Sequence, residues 1–391
     1  MTSNEIKALD AQNVMQTYGR FDVVIERGEG ATLYSPEGRE YIDFTSGIGV
    51  NSIGYGNKKW VEAITAQAMK LQHISNLYYS EPYVKLAAVL TARTGMKNVF
   101  FANAGGEANE GMIKLARKYS FDKYGKGRST IISLVQSFHG RTITTLAATG
   151  QDVFHNFFFP FTEGFKHVAA NDLKALEAEL SGDVCAVMIE LIQGEGGVLP
   201  LNQEYVKAVA ELCASKDVLL IVDEIQTGVG RTGSLFAFEQ YSIKPDAISF
   251  AKGIAGGLPM GGFMVGDKCA GVLTAGTHAT TFGGNPVCAA GALEVLDQLD
   301  DTLLAEVTKK GEYIAKEIKS WNKETVGKIR GKGLMIGIEM KGLVPKEVAQ
   351  KCTAGGLLII TAGSDALRML PPLTITYEEI DKGLSILKEM I

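Results

Sequence analysis

Short apolar segments alternate with helical patterns through the middle of the chain, and this alternation limits the possible folds more than any other feature. The apolar segments lie at 99–105, 130–138, 184–192, 218–226, 246–252 and 261–266. Between the third and the fourth, residues 203–216 place Val206, Val209, Leu212 and Cys213 on one helical face. Such alternation predicts an α/β fold with a mostly parallel central sheet and helices on both faces.

The pattern changes near residue 298, where charged amphipathic helices and short strands begin. We therefore predict a large domain at 46–297 and a small α+β domain at 298–391. The first 45 residues contain a predicted hairpin around Pro36 and Gly38 and are expected to pack on the small domain. A chain of 391 residues with 46% hydrophobic residues is long enough for this arrangement.

Composition excludes several classes of partner. The net charge is -5 and no run of Lys or Arg exceeds two residues, which argues against nucleic acid and anionic membranes. No segment approaches the roughly 20 apolar residues of a membrane span. The five cysteines form no CxxC and the five histidines form no metal motif. We expect buried free thiols, no protein-built metal site and a cytoplasmic location.

Two strand ends carry a carboxylate and a lysine. Asp223 ends the apolar run in LLIVDEIQTGVGRTG, and Lys252 follows the strand in DAISFAKGIAGGLPMGG. Ligands bind at the carboxyl ends of strands in open α/β sheets. Each residue alone could be a loop cap or a surface charge. Together they favour pyridoxal 5′-phosphate, whose aldehyde reacts with a lysine amine and whose ring nitrogen a carboxylate keeps protonated.

Polar or flat groups also follow two neighbouring strands. Gly105 and Gly106 precede a helix whose free amides could hold a phosphate, although a simple turn uses glycine equally well. Phe138 could stack on a flat ring, and Arg141 could hold a carboxylate through two hydrogen bonds. A core phenylalanine and a surface arginine are the alternatives for these last two residues.

Three further motifs are ambiguous when each is considered alone. In IELIQGEGG, Glu190 and Glu195 could be metal ligands, an acid–base pair or partners of an arginine. Thr280 and Thr281 precede a Gly-Gly turn in ATTFGGNP, and Arg368 lies on a short strand in LRMLPPL. Arg368 would suit an α-carboxylate, but ordinary loop and cap chemistry explains each motif as well.

A second glycine motif is typical of a different cofactor, a dinucleotide. GVGRTG at 228–233 matches the dinucleotide-binding pattern G-x-G-x-x-G after a strand. The residues that follow leave little room for a long helix, and the start of a βαβ unit is missing. We therefore do not expect a nicotinamide cofactor.

In their order along the chain these motifs resemble those of the class III aminotransferases, which have the fold type I of pyridoxal-phosphate enzymes. The resemblance runs from about residue 18 to the C-terminus. It rests on DFTSGIGVNSIGYGN, FFANAGGEANE, SFHGRT, IELIQGEGG, DEIQTGVGRTG with FAKGIAGGLPMGG, and TTFGGNP with LRMLPPL. Nearly the whole chain is covered, and six motifs occur in the family's order.

The resemblance implies roles for the cofactor-binding residues. Lys252 would bind the cofactor covalently and move protons, Asp223 would pair with the ring nitrogen, and Gln226 with the ring hydroxyl. Phe138 would stack on the ring. The amides of Gly105 and Gly106 would bind the phosphate, which Thr281 would reach across the interface of an obligate homodimer.

The resemblance also implies how substrates bind. Arg368 would hold the α-carboxylate of glutamate or 2-oxoglutarate, with Glu195 as its switchable partner. Arg141 and Thr280 would contact the second substrate, and Glu190 belongs to the same substrate-binding group.

The sequence departs from the family pattern at a few positions. Ala104 and Gly106 stand where the family has Ser and Thr, so the backbone alone must carry the phosphate. GYGNKK replaces GHxHP, and Leu191 replaces a proline. None of these changes touches the lysine, the aspartate or the arginines, although they can alter substrate fit.

Within this family, the compact length and the segment GGNPVCAAGALEVL favour N2-acetylornithine as amino donor and 2-oxoglutarate as acceptor, a reaction of arginine biosynthesis. Succinylornithine, ornithine and 4-aminobutyrate remain alternatives. A racemase or aminomutase of this fold would need no Glu195–Arg368 switch. A cofactor-binding regulator would need an added DNA-binding domain.

Overall fold

The computed structural model describes residues 1–391. Its N-terminal part contains α1 (Ser3–Asn13), β1 (Arg27–Glu29), β2 (Thr32–Tyr34), β3 (Glu40–Asp43), the single turn α2 (Ser46–Gly49), α3 (Lys58–Lys70) and α4 (Glu81–Thr94). Strands β2 and β3 pair antiparallel with Thr32 opposite Ile42. The predicted hairpin around Pro36 and Gly38 is therefore confirmed.

The middle of the chain builds the central sheet and its covering helices. Its strands are β4 (Asn98–Ala102), β5 (Thr130–Leu134), β6 (Phe165–Val168), β7 (Val184–Ile189), β8 (Ile192–Gln193), β9 (Leu199–Pro200), β10 (Leu219–Asp223), β11 (Ala247–Phe250) and β12 (Gly261–Val265). Its helices are α5 (Gly105–Tyr124), α6 (Ile143–Ala148), α7 (Leu173–Glu179), α8 (Gln203–Ser215) and α9 (Phe238–Tyr241).

Seven of these strands form one sheet in the order β4-β12-β11-β10-β7-β5-β6. β12 runs antiparallel to both of its neighbours, whereas the other pairings are parallel. On β10, Leu220 and Val222 pack into one hydrophobic core and Leu219 and Ile221 into another. Successive side chains of a strand point to opposite faces, so both faces of the sheet are covered, as the apolar runs predicted.

The C-terminal part forms a second sheet. Its elements are α10 (Pro286–Gln298), α11 (Asp301–Ser320), β13 (Val326–Lys332), β14 (Met335–Met340), α12 (Pro345–Gly355), β15 (Leu357–Leu358), β16 (Ile360–Ala362), β17 (Ala366–Met369) and α13 (Tyr377–Met390). The sheet order is β13-β14-β17-β16, and β15 pairs in parallel with β3, Leu357 lying opposite Ile42. The domain boundaries at 45 and 297 stay predictions.

The glycine motif at 228–233 has a structural use. Arg231 is buried, and its guanidinium donates to the carbonyl oxygens of Leu334 at 3.1 Å and Pro371, and to Ser46 Oγ at 3.4 Å. The four-residue helix α9 is the first α-helix after the motif. A dinucleotide site of the βαβ type needs a helix at the motif itself, so this geometry does not match one.

The structure also describes the cysteine side chains and the hydropathy of the helices. All five cysteines are free, and four of them are buried while Cys288 is half-buried. None of the helices combines the length and the hydropathy needed to cross a membrane.

Candidate active site

Asp223 lies at the carboxyl end of β10, where an apolar strand delivers a carboxylate into the interior. It is 3% exposed. One carboxylate oxygen accepts hydrogen bonds from Asn109 Nδ2 and from His139 Nδ1, each at 2.8 Å. The other accepts from the main-chain nitrogen of Ile225 at 3.0 Å and from Ser249 Oγ at 3.3 Å. These four hydrogen bonds hold the carboxylate in one orientation.

Lys252 follows the neighbouring strand β11 and begins a turn of 3₁₀ helix with a positive φ of 46°. A non-glycine residue held in this region is strained, and such strain is common at functional sites. The side chain is half-buried rather than fully buried. Burial lowers the pKa of Lys252, and the charge of Glu195 opposes this shift while that of Arg368 adds to it. A larger neutral fraction makes the amine a better nucleophile.

Helix α5 begins at Gly105, next to these two residues. Its N-cap Ala104 makes no side-chain capping hydrogen bond, so no side chain of the N-cap competes for the first amides. A Cβ atom at Gly105 would lie 2.8 Å from Ile225 Cδ1, which shows how closely the helix start approaches the loop after Asp223. Unpaired amides at a helix N-terminus favour an anion such as a phosphate.

A cavity of about 670 Å³ opens between these strand ends and the start of α5. This volume lies within the range typical of small-molecule and cofactor sites. The predicted site residues that line it are Gly105, Gly106, Phe138, Arg141, Glu190, Asp223, Gln226 and Lys252. Sequence reasoning therefore selected residues from five separate segments that the fold brings to one place.

Glu195 and Arg368 form an ion pair beside this cavity. Arg368 Nη1 lies 2.5 Å from Glu195 Oε1, and Nη2 lies 3.2 Å from Oε2. Arg368 also donates to Gln226 Oε1 at 3.1 Å, which links the pair to a cavity residue. Burial alone would raise the pKa of Glu195, but the charge and hydrogen bonds of Arg368 outweigh it and lower that pKa. The Glu195 carboxylate is thus ionised at neutral pH, and its side chain keeps 30% exposure.

Glu190 is a second buried acid at the cavity. It accepts hydrogen bonds from the main-chain nitrogens of Phe138 at 2.9 Å and Gly194 at 3.2 Å. Burial raises its pKa, and the negative charge of Asp223 adds to this while His139 opposes it. The two main-chain bonds mean that Glu190 also orders the segments carrying Phe138 and Glu195.

The remaining predicted residues lie at the edge of the site. Arg141 is exposed, and its guanidinium carbon lies 4.2 Å from the ring centre of Phe154 and 5.5 Å from that of Phe138. Thr280 Oγ1 accepts a hydrogen bond from Asn103 Nδ2 at 3.3 Å, and Asn103 lines the cavity. Thr281 is exposed and does not line the cavity of its own chain.

Several residues around the site had no role assigned from the sequence. Asn109 and His139 hold Asp223, and Ser249 faces it from the paired position on β11. Phe154 stacks on Arg141 from a 3₁₀ turn. Asn109 and His139 lie within the motifs FFANAGGEANE and SFHGRT, so the sequence indicated that they are near the site. It did not indicate that they contact Asp223, because that contact joins segments far apart in the chain.

The site retains buried polar atoms without a partner in the chain. These are Asn109 Oδ1, His139 Nε2 and Arg368 Nε. Unpaired buried polar atoms are uncommon in proteins. Of these three residues His139 lines the cavity, while Asn109 and Arg368 hydrogen-bond the lining residues Asp223 and Gln226. Together with the lysine amine, the oriented carboxylate and the free helix amides, this donor and acceptor set fits pyridoxal 5′-phosphate.

Comparison with known proteins supports this assignment. The family model described as aminotransferase class-III matches residues 14–391. The chain belongs to the class III aminotransferases. The acetylornithine aminotransferase of Haemophilus ducreyi is 51% identical over 100% of this chain and 99% of its own. The cofactor of class III aminotransferases, and so of this protein, is pyridoxal 5′-phosphate.

Solved structures of class III aminotransferases share the fold over the whole chain. The acetylornithine aminotransferase of Elizabethkingia anophelis superposes with a TM-score of 0.89 at 30% identity, covering 100% of this chain and 99% of that one. An ornithine aminotransferase of Toxoplasma gondii with partially occupied PLP at its active site has a TM-score of 0.95 at 33% identity, covering 100% and 94%. The predicted fold class is thereby confirmed.

Proposed function

We propose that this protein transfers the δ-amino group of N2-acetylornithine to 2-oxoglutarate, which yields N-acetylglutamate 5-semialdehyde and glutamate. The observation that carries this proposal is the Glu195–Arg368 ion pair beside a cavity that also contains Lys252 and Asp223. The names of the H. ducreyi and E. anophelis relatives support acetylornithine as the donor.

The residues that would hold the cofactor follow from the cavity. The amides of Gly105 and Gly106 would bind the phosphate, Phe138 would lie against the ring, and Gln226 would bond the ring hydroxyl. When bound, pyridoxal 5′-phosphate supplies an aldehyde that reacts with amines and a ring that accepts electrons from a broken C–H bond. Asp223 would keep the ring nitrogen protonated, which strengthens that withdrawal of electrons.

Lys252 would serve as the base and acid of the reaction. Burial lowers the pKa of its amine, so the neutral form that accepts a proton from the substrate carbon becomes more accessible. The same ammonium group can then return the proton to a different atom. Lys252 begins a 3₁₀ turn and lines the cavity, so its amine is available to a bound substrate.

Glu195 would allow one pocket to accept two different substrates. An amine donor presents a δ-carbon without a neighbouring carboxylate, and Glu195 neutralises Arg368 while this donor is bound. Glutamate presents an α-carboxylate, which displaces Glu195 and takes the bidentate position on Arg368. Glu195 keeps 30% exposure, so its side chain has room to move, whereas Arg368 at 3% has little.

Three further residues would contact the donor. Arg141 would bind its carboxylate, with Thr280 and Glu190 nearby, and the Phe154 ring would keep the exposed Arg141 guanidinium in place. Thr281 would act on the cofactor phosphate of a second subunit, because its exposed side chain does not reach the cavity of its own chain. We therefore propose a homodimer, and from the free thiols a cytoplasmic enzyme.

The test is a steady-state comparison of ω-amines with 2-oxoglutarate as acceptor. We expect the largest kcat/KM for N2-acetylornithine, with succinylornithine, ornithine and 4-aminobutyrate as competitors. A larger value for ornithine would move the enzyme to the activity for which the T. gondii relative is named. Isomerisation of one amine without consumption of 2-oxoglutarate would contradict the proposal.

A further inference from the structure

The turn that carries Glu195 is attached to the C-terminal sheet. This turn, residues 194–198, connects the hairpin strands β8 and β9. The carbonyl oxygen of Glu195 accepts a hydrogen bond from the Gly363 nitrogen at 2.8 Å. The carbonyl oxygen of Gly197 accepts one from Arg330 Nη1 at 3.2 Å. Two main-chain carbonyl groups of the turn are thus held by residues more than 130 positions away.

The turn also packs directly against strand β14. A Cβ atom placed on Gly337 would lie 2.7 Å from Val198 Cβ and 3.2 Å from the Gly197 carbonyl oxygen. Val198 itself has a positive φ of 54° and is buried with Ile192 and Met335. A valine keeps this conformation only where its surroundings enforce it, so the main chain of the turn is tightly constrained.

Arg330 is in turn fixed by two acids, Asp365 in the turn between β16 and β17 and Glu339 on β14. Its guanidinium makes two hydrogen bonds to Asp365, at 3.2 Å and 2.7 Å, and Nη2 lies 3.7 Å from Glu339 Oε2. The side chain is 16% exposed. A planar guanidinium can hold a carboxylate with two nitrogens and still donate to a carbonyl, whereas a lysine cannot reproduce this fork.

Arg368 belongs to this same sheet, on β17, which adjoins β14. The hydrogen bonds of Arg330 and Gly363 therefore connect the main chain of the Glu195 turn to the sheet that carries Arg368. If the C-terminal sheet moved relative to Lys252, the turn that carries Glu195 would move together with Arg368. Separation of the two charges must then come from rotation of the Glu195 side chain.

We infer that Arg330, held by Asp365, is a positioning residue that fixes the Glu195 turn and so sets how strongly Glu195 competes with a substrate carboxylate for Arg368. This inference rests on the proposed function, because the competition matters only for an enzyme with two kinds of substrate. A fixed turn keeps the carboxylate close to Arg368 at a small entropic cost. A loosened turn leaves Arg368 free more often, which favours glutamate and disfavours the ω-amine.

The experiment measures the two half-reactions separately in single turnovers. The quantity of interest is kcat/KM for the ω-amine divided by kcat/KM for glutamate. In Arg330→Gln we expect this ratio to fall by at least about threefold, through a lower KM for glutamate and a higher KM for the amine. Asp365→Asn should move the ratio in the same direction by less, and Arg330→Lys should lie between Arg330→Gln and the wild type.

A double-mutant cycle separates positioning from general damage. In a Glu195→Ala background the turn has no carboxylate to position, so adding Arg330→Gln should leave the ratio unchanged. The matched control is Arg128→Gln, since Arg128, like Arg330, donates to main-chain carbonyl oxygens of distant segments, those of Val184, Lys216 and Asp217. That control can lower stability, but the ratio should stay at the wild-type value.

The outcomes distinguish this inference from the proposed function. An unchanged ratio in folded Arg330→Gln, or an equal change in the Glu195→Ala background, would overturn the positioning role. If Arg330→Gln does not fold, Asp365→Asn decides by the same two criteria. A preference of the wild type for an ω-amine other than N2-acetylornithine would overturn the proposed function alone, because the ratio can be measured with any ω-amine that the enzyme accepts. Acceptance of no ω-amine would overturn both.

Discussion

At the residue scale, Asp223 and Asp246 show how position in a sheet separates a functional carboxylate from a structural one. Asp223 ends β10 at the cavity, whereas Asp246 precedes β11 at the opposite end and accepts a hydrogen bond from the Leu220 nitrogen at 2.9 Å. Both side chains are held by main-chain donors. Only Asp223 can reach a ligand at the carboxyl end of the sheet.

Asp223→Asn should keep the fold and lose several orders of magnitude in the rate of proton removal from the substrate. An amide cannot hold the ring nitrogen protonated, and each tenfold loss corresponds to about 1.4 kcal/mol of barrier. Stopped-flow single-turnover rates measure the effect, with Asp246→Asn as the matched control expected to react nearly normally. Near-normal rates in Asp223→Asn would contradict the assigned role.

Lys252 should be the site of covalent attachment. Borohydride treatment of the holoenzyme should fix the cofactor to the peptide containing Lys252, because this amine lines the cavity and has a lowered pKa. Lys252→Ala should show no fixed label. Mass spectrometry after proteolysis decides the matter, and label on any other lysine would refute the assignment.

Arg368→Ala and Glu195→Ala should have opposite effects on the two half-reactions. Loss of Arg368 removes a bidentate partner of the α-carboxylate, worth roughly 1.5–3 kcal/mol, so the glutamate half-reaction should suffer more. Loss of Glu195 leaves the Arg368 charge unneutralised, so the ω-amine half-reaction should suffer more. Single-turnover spectroscopy with each substrate measures both, and equal impairment of both halves in both variants would disprove the switch.

At the scale of elements, the start of α5 shows why two adjacent glycines are not equivalent. A Cβ atom at Gly105 would lie 2.8 Å from Ile225 Cδ1, while one at Gly106 would meet Thr142 Cγ2 at an ordinary 3.5 Å. The close contact joins the phosphate-binding end of α5 to the loop after Asp223. An alanine at 105 would therefore have to displace the Ile225 side chain, whereas an alanine at 106 would not.

Gly105→Ala should weaken cofactor binding far more than Gly106→Ala. Crowding at a close-packed contact costs about 1–3 kcal/mol, which corresponds to roughly fivefold to more than a hundredfold in the Kd for pyridoxal 5′-phosphate. Titration of the apo-protein followed by fluorescence gives the two constants, with Gly106→Ala as the matched control. Equal affinities in the two variants would show that the loop at Ile225 adjusts freely.

Elements were predicted from local pattern, and they differ from the structure where contacts with distant segments intervene. The apolar run 184–192 was expected as one strand, but it divides into β7 and β8 because Glu190 turns inward to bond the nitrogens of Phe138 and Gly194. Such a break depends on partners outside the run. Hydrophobic periodicity alone does not contain that information.

At the scale of the whole molecule, Arg231 connects distant parts of the chain. Its guanidinium bonds carbonyl oxygens of Leu334 and Pro371 from the C-terminal part and Ser46 Oγ from the N-terminal part. These acceptors are buried, so water does not supply their hydrogen bonds. The motif that resembles a dinucleotide fingerprint thus serves to join the parts of the fold.

Arg231→Met should lower the free energy of unfolding by about 2–6 kcal/mol, because the buried carbonyl oxygens of Leu334 and Pro371 lose their donor and each unsatisfied group costs about 1–3 kcal/mol. Denaturant unfolding followed by circular dichroism measures this change. Arg20→Met is the control, since the exposed Arg20 pairs only with Asp10 at 3.1 Å and should change stability by about 0–1 kcal/mol. A loss below 1 kcal/mol in Arg231→Met would contradict the connecting role.

The sequence by itself determined the fold class, the family and the cofactor, because these depend on strand periodicity and on motifs that occupy strand ends wherever the strands lie. It also selected the cavity-lining residues Asp223 and Lys252. Only the tertiary structure decided which groups surround them. His139 bonds Asp223 across 84 positions, and Arg368 meets Glu195 across 173, because the sheets bring these segments together. No local pattern encodes such pairings, since a side chain's partners depend on strand order and register.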